Sequence, residues 1–270
     1  MKLTQKNYYG PKASLEYMSV SQFKDFLKCP AMAMAKLKGE YVPEYGRALL
    51  LGSFVDEMLT GTKKSQEKFI EENRAELFKK NGDPYADVAQ ALETIERVKK
   101  QPLMMHYLGG KHQVIMTGEI EGVPFKIKMD SYDPNEYIAD LKYMASLRSP
   151  NLFEPMVKYW GYNLQAACYQ EIVFQNIGKR LPFFFDVATK EKPAHLAVGQ
   201  ISQWNIDEAM EIVRGNIRRF QSIKEGKVEA ERCEDYGCEF CTSTKIITEP
   251  IDTDLFGMNA AQIKGMRGEI

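Results

Sequence analysis

The sequence predicts an α/β (α+β) fold, a mixed sheet of about five strands flanked by helices, with a helical N-terminal third. Three observations carry this. Apolar residues recur at helical spacing through the first hundred residues, and alternation of period two takes over from His112 onward. Two later strand-like runs are then separated from the first three by a helical pattern and followed by another. The resulting order is helices, three strands, helix, two strands, helix.

Ser19 or Ser21 is placed to cap a helix reaching residue 28, with Val20, Phe23, Phe26 and Leu27 as its apolar stripe. A short helix follows Pro30. The next runs from about Glu44 to residue 59 and is apolar almost all round from Ala48, which predicts burial. Residues 63–80 are charged and helical in type. Asp83 as N-cap and Pro84 at the first position restart a helix to about residue 100. Residues 112–120 alternate, Glu121-Gly122 offers a turn, 123–132 alternate again, 133–136 make a second turn and 137–144 a third strand. Two hairpins in succession imply an antiparallel meander. A helix from about Glu154 or Tyr159 to residue 177, strands near 181–189 and 194–200, and a long helix over 207–224 complete the core.

Composition narrows the class. A chain of 270 residues that is 44% hydrophobic and 27% charged is not disordered as its main state, and it can bury a full core as one large or two small domains. No apolar run approaches the ~20 residues of a membrane span, and residues 1–10 lack the apolar stretch of a secretory signal. The expectation is a cytoplasmic protein whose five cysteines stay reduced, so that clustered ones read as metal ligands. With 36 basic and 37 acidic side chains the net charge is -1, which does not announce a nucleic-acid binder. A local basic groove remains open through Lys24, Lys28, Lys36 and Lys38, or through Arg214, Arg218 and Arg219; these read otherwise as solvated helix faces.

The chemistry-bearing residues sit in the strands. Alternation puts Phe125, Ile127 and Met129 on one face of the second strand and Asp130 on the other, near its end. In the third strand Asp140 and Lys142 share a face with Leu141 opposite, and a hairpin can bring Asp130, Asp140 and Lys142 together. Two carboxylates and a backbone carbonyl offer hard oxygen ligands for Mg²⁺, and a neighbouring lysine can orient or deprotonate a water that attacks a phosphate. The same residues also suit a cross-strand surface ion pair. Gln165 and Tyr169, four apart, stack on one helical face. Glu119 reads as a cross-strand charge, Asp133 as a turn former, and His106, His112 and His195 as structural.

The ordered series Gly52-Ser-Phe-Val-Asp56, Asp130, Asp140-Leu141-Lys142 and Gln165-Ala-Ala-Cys-Tyr169 resembles the RecB-like branch of the PD-(D/E)XK nuclease superfamily. More narrowly it is similar to the phage and prophage exonucleases of RecE type, over residues 19–245. The resemblance implies a restriction-endonuclease-like core. Residues 1–110 would be its helical N-terminal part, 111–228 the catalytic core, 229–245 a cysteine-rich metal loop and 246–270 a tail. It implies Asp130 and Asp140 as ligands of Mg²⁺ or Mn²⁺ with the Leu141 carbonyl, Lys142 as the residue that activates water, and Gln165 and Tyr169 as DNA contacts or braces. Asp56 stands where the branch has histidine, and Asp can ligate the same metal. Lys190, in a segment that also resembles the family, is a candidate DNA contact or an exposed turn residue.

Cys233, Cys238 and Cys241 read as C-x4-C-x2-C in a polar loop, with Cys29 roughly 200 residues earlier as the candidate fourth ligand of Zn²⁺ or an iron–sulfur cluster. Cys168, inside a helix, reads as a small core residue. Several RecB-like nucleases carry one cysteine before the core and three after it around a [4Fe-4S] cluster, so the resemblance implies that cluster, with Zn²⁺ as the alternative. The implied activity is metal-dependent exonuclease digestion of linear duplex DNA ends, 5′ to 3′, in phage-type recombination. A single-strand annealing protein and further copies of the chain are the implied partners, with no membrane. The other readings are a nucleic-acid binding module with a decayed site and a single-strand nuclease of the CRISPR-adaptation kind.

Overall fold

The computed structural model describes residues 1–43, 46–151, 155–233, 237–248, 250, 253–255, 258, 262 and 265. Among the described residues eight helices precede the sheet: α1 Pro11–Glu16, α2 Val20–Lys28, α3 Pro30–Lys38, α4 Arg47–Thr60, α5 Lys63–Glu72, α6 Arg74–Leu77, α7 Ala86–Lys99 and α8 Pro102–Tyr107. Ser19 is the cap of α2, its hydroxyl accepting from the Gln22 amide at 3.4 Å. Cys29 closes α2 and opens α3, with Pro30 starting the new helix where its missing N–H costs nothing. The Cys29 sulfur accepts from the Met32 amide at 3.5 Å, so backbone geometry fixes this thiol in place. The start expected for α4 at Glu44 lies outside the described residues.

The expected start of the helix at Asp83 is displaced. Asp83 does not cap a helix, because the Asn81 amide donates to its carboxylate at 2.8 Å and the Asn81 carbonyl oxygen accepts from its backbone N–H. This local turn competes with the cap, Pro84 bridges to Phe78, and α7 begins at Ala86.

The sheet consists of β1 Lys111–Ile120, β2 Val123–Asp133, β3 Tyr137–Met144, β4 Phe183–Thr189 and β5 Leu196–Gln200, in that spatial order. Neighbours are antiparallel except β3 and β4, which run parallel. Parallel neighbours need a long crossover, here supplied by α9 Met156–Tyr159 and α10 Tyr162–Ile177. Glu154, one expected start for this helical stretch, lies outside the described residues. Glu121 at φ 52° and Gly122 at φ 75° make the tight hairpin between β1 and β2, whose paired left-handed residues match strand twist. The last long helix, α11 Gln203–Lys224, starts one turn before its expected position because Ser202 caps it.

Both faces of the sheet are covered. On one, α2, α10 and α11 bury Phe23, Phe125, Phe183 and Phe220; on the other, α4, α7 and α8 bury Phe54, Val88 and Ile95 against Leu141 and Ala188. This is the mixed five-stranded α+β architecture that the patterning predicts. Strand alternation therefore sends Leu141 toward α4 and its neighbours Asp140 and Lys142 toward α10. No helix among the described residues is long and apolar enough to cross a membrane.

Candidate active site and four-cysteine centre

The central strand carries the chemistry. On β3, Asp140 is 3% exposed, and its Oδ2 lies 2.5 Å from the Lys142 ammonium. Gln165 on α10 closes a ring with both: its amide donates to Asp140 Oδ1 at 2.5 Å, and its carbonyl oxygen accepts from Lys142 Nζ at 3.1 Å. The ammonium also sits 4.9 Å from the centroid of the Tyr162 ring. Burial alone would lower the Lys142 pKa, but the Asp140 and Asp130 charges outweigh it and hold the group above the ordinary lysine value, as a cation.

Asp130 at the end of β2 and Asp56 on α4 complete an acidic trio. Burial, then the charges of Asp140 and Asp56, push the Asp130 carboxyl well above the usual carboxylate range. Burial and Asp140 likewise raise Asp56 to about 6. Gln113 spans the two, its amide nitrogen 3.3 Å from Asp56 Oδ2 and 3.5 Å from Asp130 Oδ1. It does so from a left-handed backbone conformation, φ 53°, that is uncommon for a residue with a side chain and recurs at functional sites. The neighbouring His112 ring donates to the Asp130 carbonyl at 3.1 Å. Gln113 did not stand out in the sequence, where it looks like an ordinary position at the start of an alternating strand, and His112 was read there as structural.

The other expected site residues divide. Tyr169 donates to the Lys128 carbonyl at 2.9 Å and so ties α10 to β2. Leu141 offers its backbone carbonyl between Asp140 and Lys142 while its side chain enters the opposite core. Lys190 is not brought to the carboxylates: its ammonium lies 5.3 Å from the Tyr143 ring centroid, and Tyr143 packs in the core on the other face of the sheet. Asp133 accepts from the Asn135 amide in a turn. Asp186 is an acid that the pattern reading passed over inside the apolar run of β4. It pairs with Leu141, is fully buried, has no hydrogen-bond partner on either carboxylate oxygen, and is raised to about 8 by burial and the Asp140 charge.

The second centre is sulfur. The thiols of Cys29, Cys233, Cys238 and Cys241 lie within 4.8 Å of one another, with Cys241 Sγ 3.6 Å from Cys29 Sγ and 3.7 Å from Cys233 Sγ. Cys29 comes from the α2–α3 junction, Cys233 follows α11, and Cys238 and Cys241 belong to the short helix α12 Glu239–Ser243 and its cap. Met32 and Phe240 pack beside them. Cys168 is elsewhere, fully buried in α10.

Comparison with known proteins accords with this arrangement. Residues 19–244 match the model of a family described as a PDDEXK-like domain of unknown function (DUF3799). A crystal structure of a "Putative exonuclease" from Eubacterium rectale superposes with a TM-score of 0.87 at 40% identity, covering 96% of this chain and 99% of that one. No functionally curated protein matches the sequence.

Proposed function

The chain belongs to the PDDEXK-like family and so to the PD-(D/E)XK nuclease superfamily, and from that membership we propose that it is a divalent-metal-dependent exonuclease acting on linear DNA ends. The observation that carries the reading is the convergence of Asp140, Lys142 and Gln165 beside the half-buried Asp130 and Asp56. The donor set suits the cation. Three carboxylates and the Leu141 carbonyl are hard oxygen ligands of the kind Mg²⁺ or Mn²⁺ takes, and a divalent charge would offset both the burial and, after it, the mutual repulsion that raise Asp56 and Asp130. A cation held there supplies charge stabilisation to a phosphodiester oxygen and lowers the pKa of a bound water.

The protein's own groups do the rest. Asp130 and Asp140 hold the cation, with Asp56 in place of the family's histidine. Lys142, a cation fixed by Asp140 and Gln165, donates toward the attacking water or the scissile phosphate and orients it. Tyr169 braces the strand that carries Asp130. The RecE-type resemblance extends the proposal to 5′ to 3′ digestion of duplex ends in recombination, feeding an annealing protein.

Linear duplex labelled separately at its 5′ and 3′ ends, incubated with Mg²⁺ or EDTA, tests this. The wild type is expected to release one label in Mg²⁺ alone, and Lys142→Ala to lower that rate at least ~100-fold. DNA bound but uncut by the wild type would assign a binding module instead. Gln113→Ala is expected to raise the Mg²⁺ concentration for half-maximal cleavage about tenfold, as loss of an outer-shell partner does; an unchanged Mg²⁺ titration would remove Gln113 from the site.

For the four thiols we propose a tetrathiolate metal centre. A tetrahedral ion at a Zn–S distance of ~2.3 Å places neighbouring sulfurs about 3.8 Å apart, which matches the 3.6 and 3.7 Å separations here. The four thiols, within 4.8 Å of one another, would hold either one Zn²⁺ or the [4Fe-4S] cluster that the resemblance implies.

A further inference from the structure

A cavity of about 590 Å³ adjoins the candidate active site, with Gln165 and Tyr169 of α10 in its wall. Its charge is unlike that of the chain. Among the described residues Lys24, Lys36, Lys38, Lys126 and Lys128 line it against a single acid, Asp25, whereas the whole protein has a net charge of -1. Asp25 is already paired with Lys36 at 2.8 Å. A cleft lined by one sign of charge concentrates the opposite ion, so this one attracts phosphate.

The roof of the cavity is aromatic and lies before residue 19, outside the segment that the family model matches. It is held by a buried cation: Lys126, 2% exposed, donates to the Tyr8 carbonyl at 2.5 Å and sits 4.7 Å from the centroid of the Tyr8 ring. Tyr8 in turn supports Tyr9 edge to face, at 4.9 Å between centroids. Lys128 covers one side of the Tyr9 ring at 4.5 Å, yet Tyr9 remains 73% exposed, which leaves its other face open. An exposed, braced aromatic ring beside a row of ammonium groups is the combination that binds single-stranded nucleic acid, phosphates on lysine and bases on the ring. A stacking ring takes an unpaired base, so the cleft suits a single strand.

We propose that this cavity is a single-strand clamp in which Lys38 and Lys128 hold phosphates and Tyr9 stacks a base of the strand lying next to Asp140 and Lys142. The inference rests on the nuclease reading for its context and names the substrate form the site engages: an unpaired strand, separated from its complement before it reaches the carboxylates.

Fluorescence anisotropy in EDTA, where no cleavage occurs, tests the clamp with three probes: a short thymidine strand, an abasic strand of equal length and a blunt duplex. Tyr9→Ala is expected to weaken thymidine-strand binding about tenfold, the loss of one stacked base, and to leave abasic-strand binding unchanged, while Tyr9→Phe binds as the wild type. Lys38→Gln is expected to reduce the slope of log affinity against log salt by ~0.7, one phosphate contact. Wild-type affinity in Tyr9→Ala, an equal loss for the abasic strand, or an unchanged slope in Lys38→Gln would overturn the clamp. Cleavage of end-labelled DNA is read separately in Mg²⁺. Cleavage with no Tyr9 effect rejects the clamp alone, and the expected binding without cleavage supports the clamp and rejects the nuclease reading alone.

Discussion

Asp140→Asn is expected to slow DNA cleavage at least ~1000-fold, about 4 kcal/mol of transition-state stabilisation, and to leave the protein folded. The substitution keeps the shape of the side chain and its acceptor for the Gln165 amide, which now donates at 2.5 Å. It removes the charge that the cation and Lys142 both face. The fold tolerates the change because Lys142 also feels the Asp130 charge, so its ammonium is not left without a counter-ion. Initial rates at saturating Mg²⁺, beside circular dichroism and a thermal melt of each protein, read the two effects apart. A variant within tenfold of the wild-type rate would show that the metal sits elsewhere.

Cys29→Ser is expected to abolish stoichiometric metal binding and to lower thermal stability by on the order of 10 °C. The four thiols join positions 212 residues apart. Closing a loop of that length removes about 5 kcal/mol of denatured-state entropy in the chain-entropy account of cross-links, and for a protein of this size each kcal/mol moves the melting temperature by roughly 2–4 °C. Elemental analysis and calorimetry on the same preparation measure both. Cys168→Ala, away from the centre, is expected to keep the full metal content. Zinc without iron would assign a single ion; iron and sulfide with absorbance near ~400 nm would assign the cluster. A Cys29→Ser protein that melts with the wild type and still binds its metal would remove Cys29 from the centre.

The fold was legible where one physical signal dominated. Period-two alternation located the first three strands, and the doublet Glu121-Gly122 located the first hairpin because both residues adopt left-handed backbone. The start of α2 was legible from its serine cap, that of α7 was misread because a local side-chain turn took the Asp83 carboxylate, and that of α11 because the Ser202 cap went unread. The site shows the same division. Alternation alone placed Asp140 and Lys142 on one face and Leu141 on the other. Gln113 was hidden because its contacts depend on a backbone excursion to φ 53° and on a helix nearly sixty residues earlier in the chain. Asp186 was hidden because alternation describes which face a residue takes and carries no information about whether a buried acid there has a partner.

The sulfur centre also sets how the molecule bears load. With metal bound, tension pulling the two chain ends apart reaches the thiolate bonds at Cys29 and Cys241 before it reaches the intervening sheet. Strand β3, which carries Asp140 and Lys142, therefore lies inside a mechanically shielded loop. In a single-molecule pulling experiment the metalated protein would first lengthen only by its outer segments, and the bulk of its contour length would be released in a second event at metal–sulfur rupture.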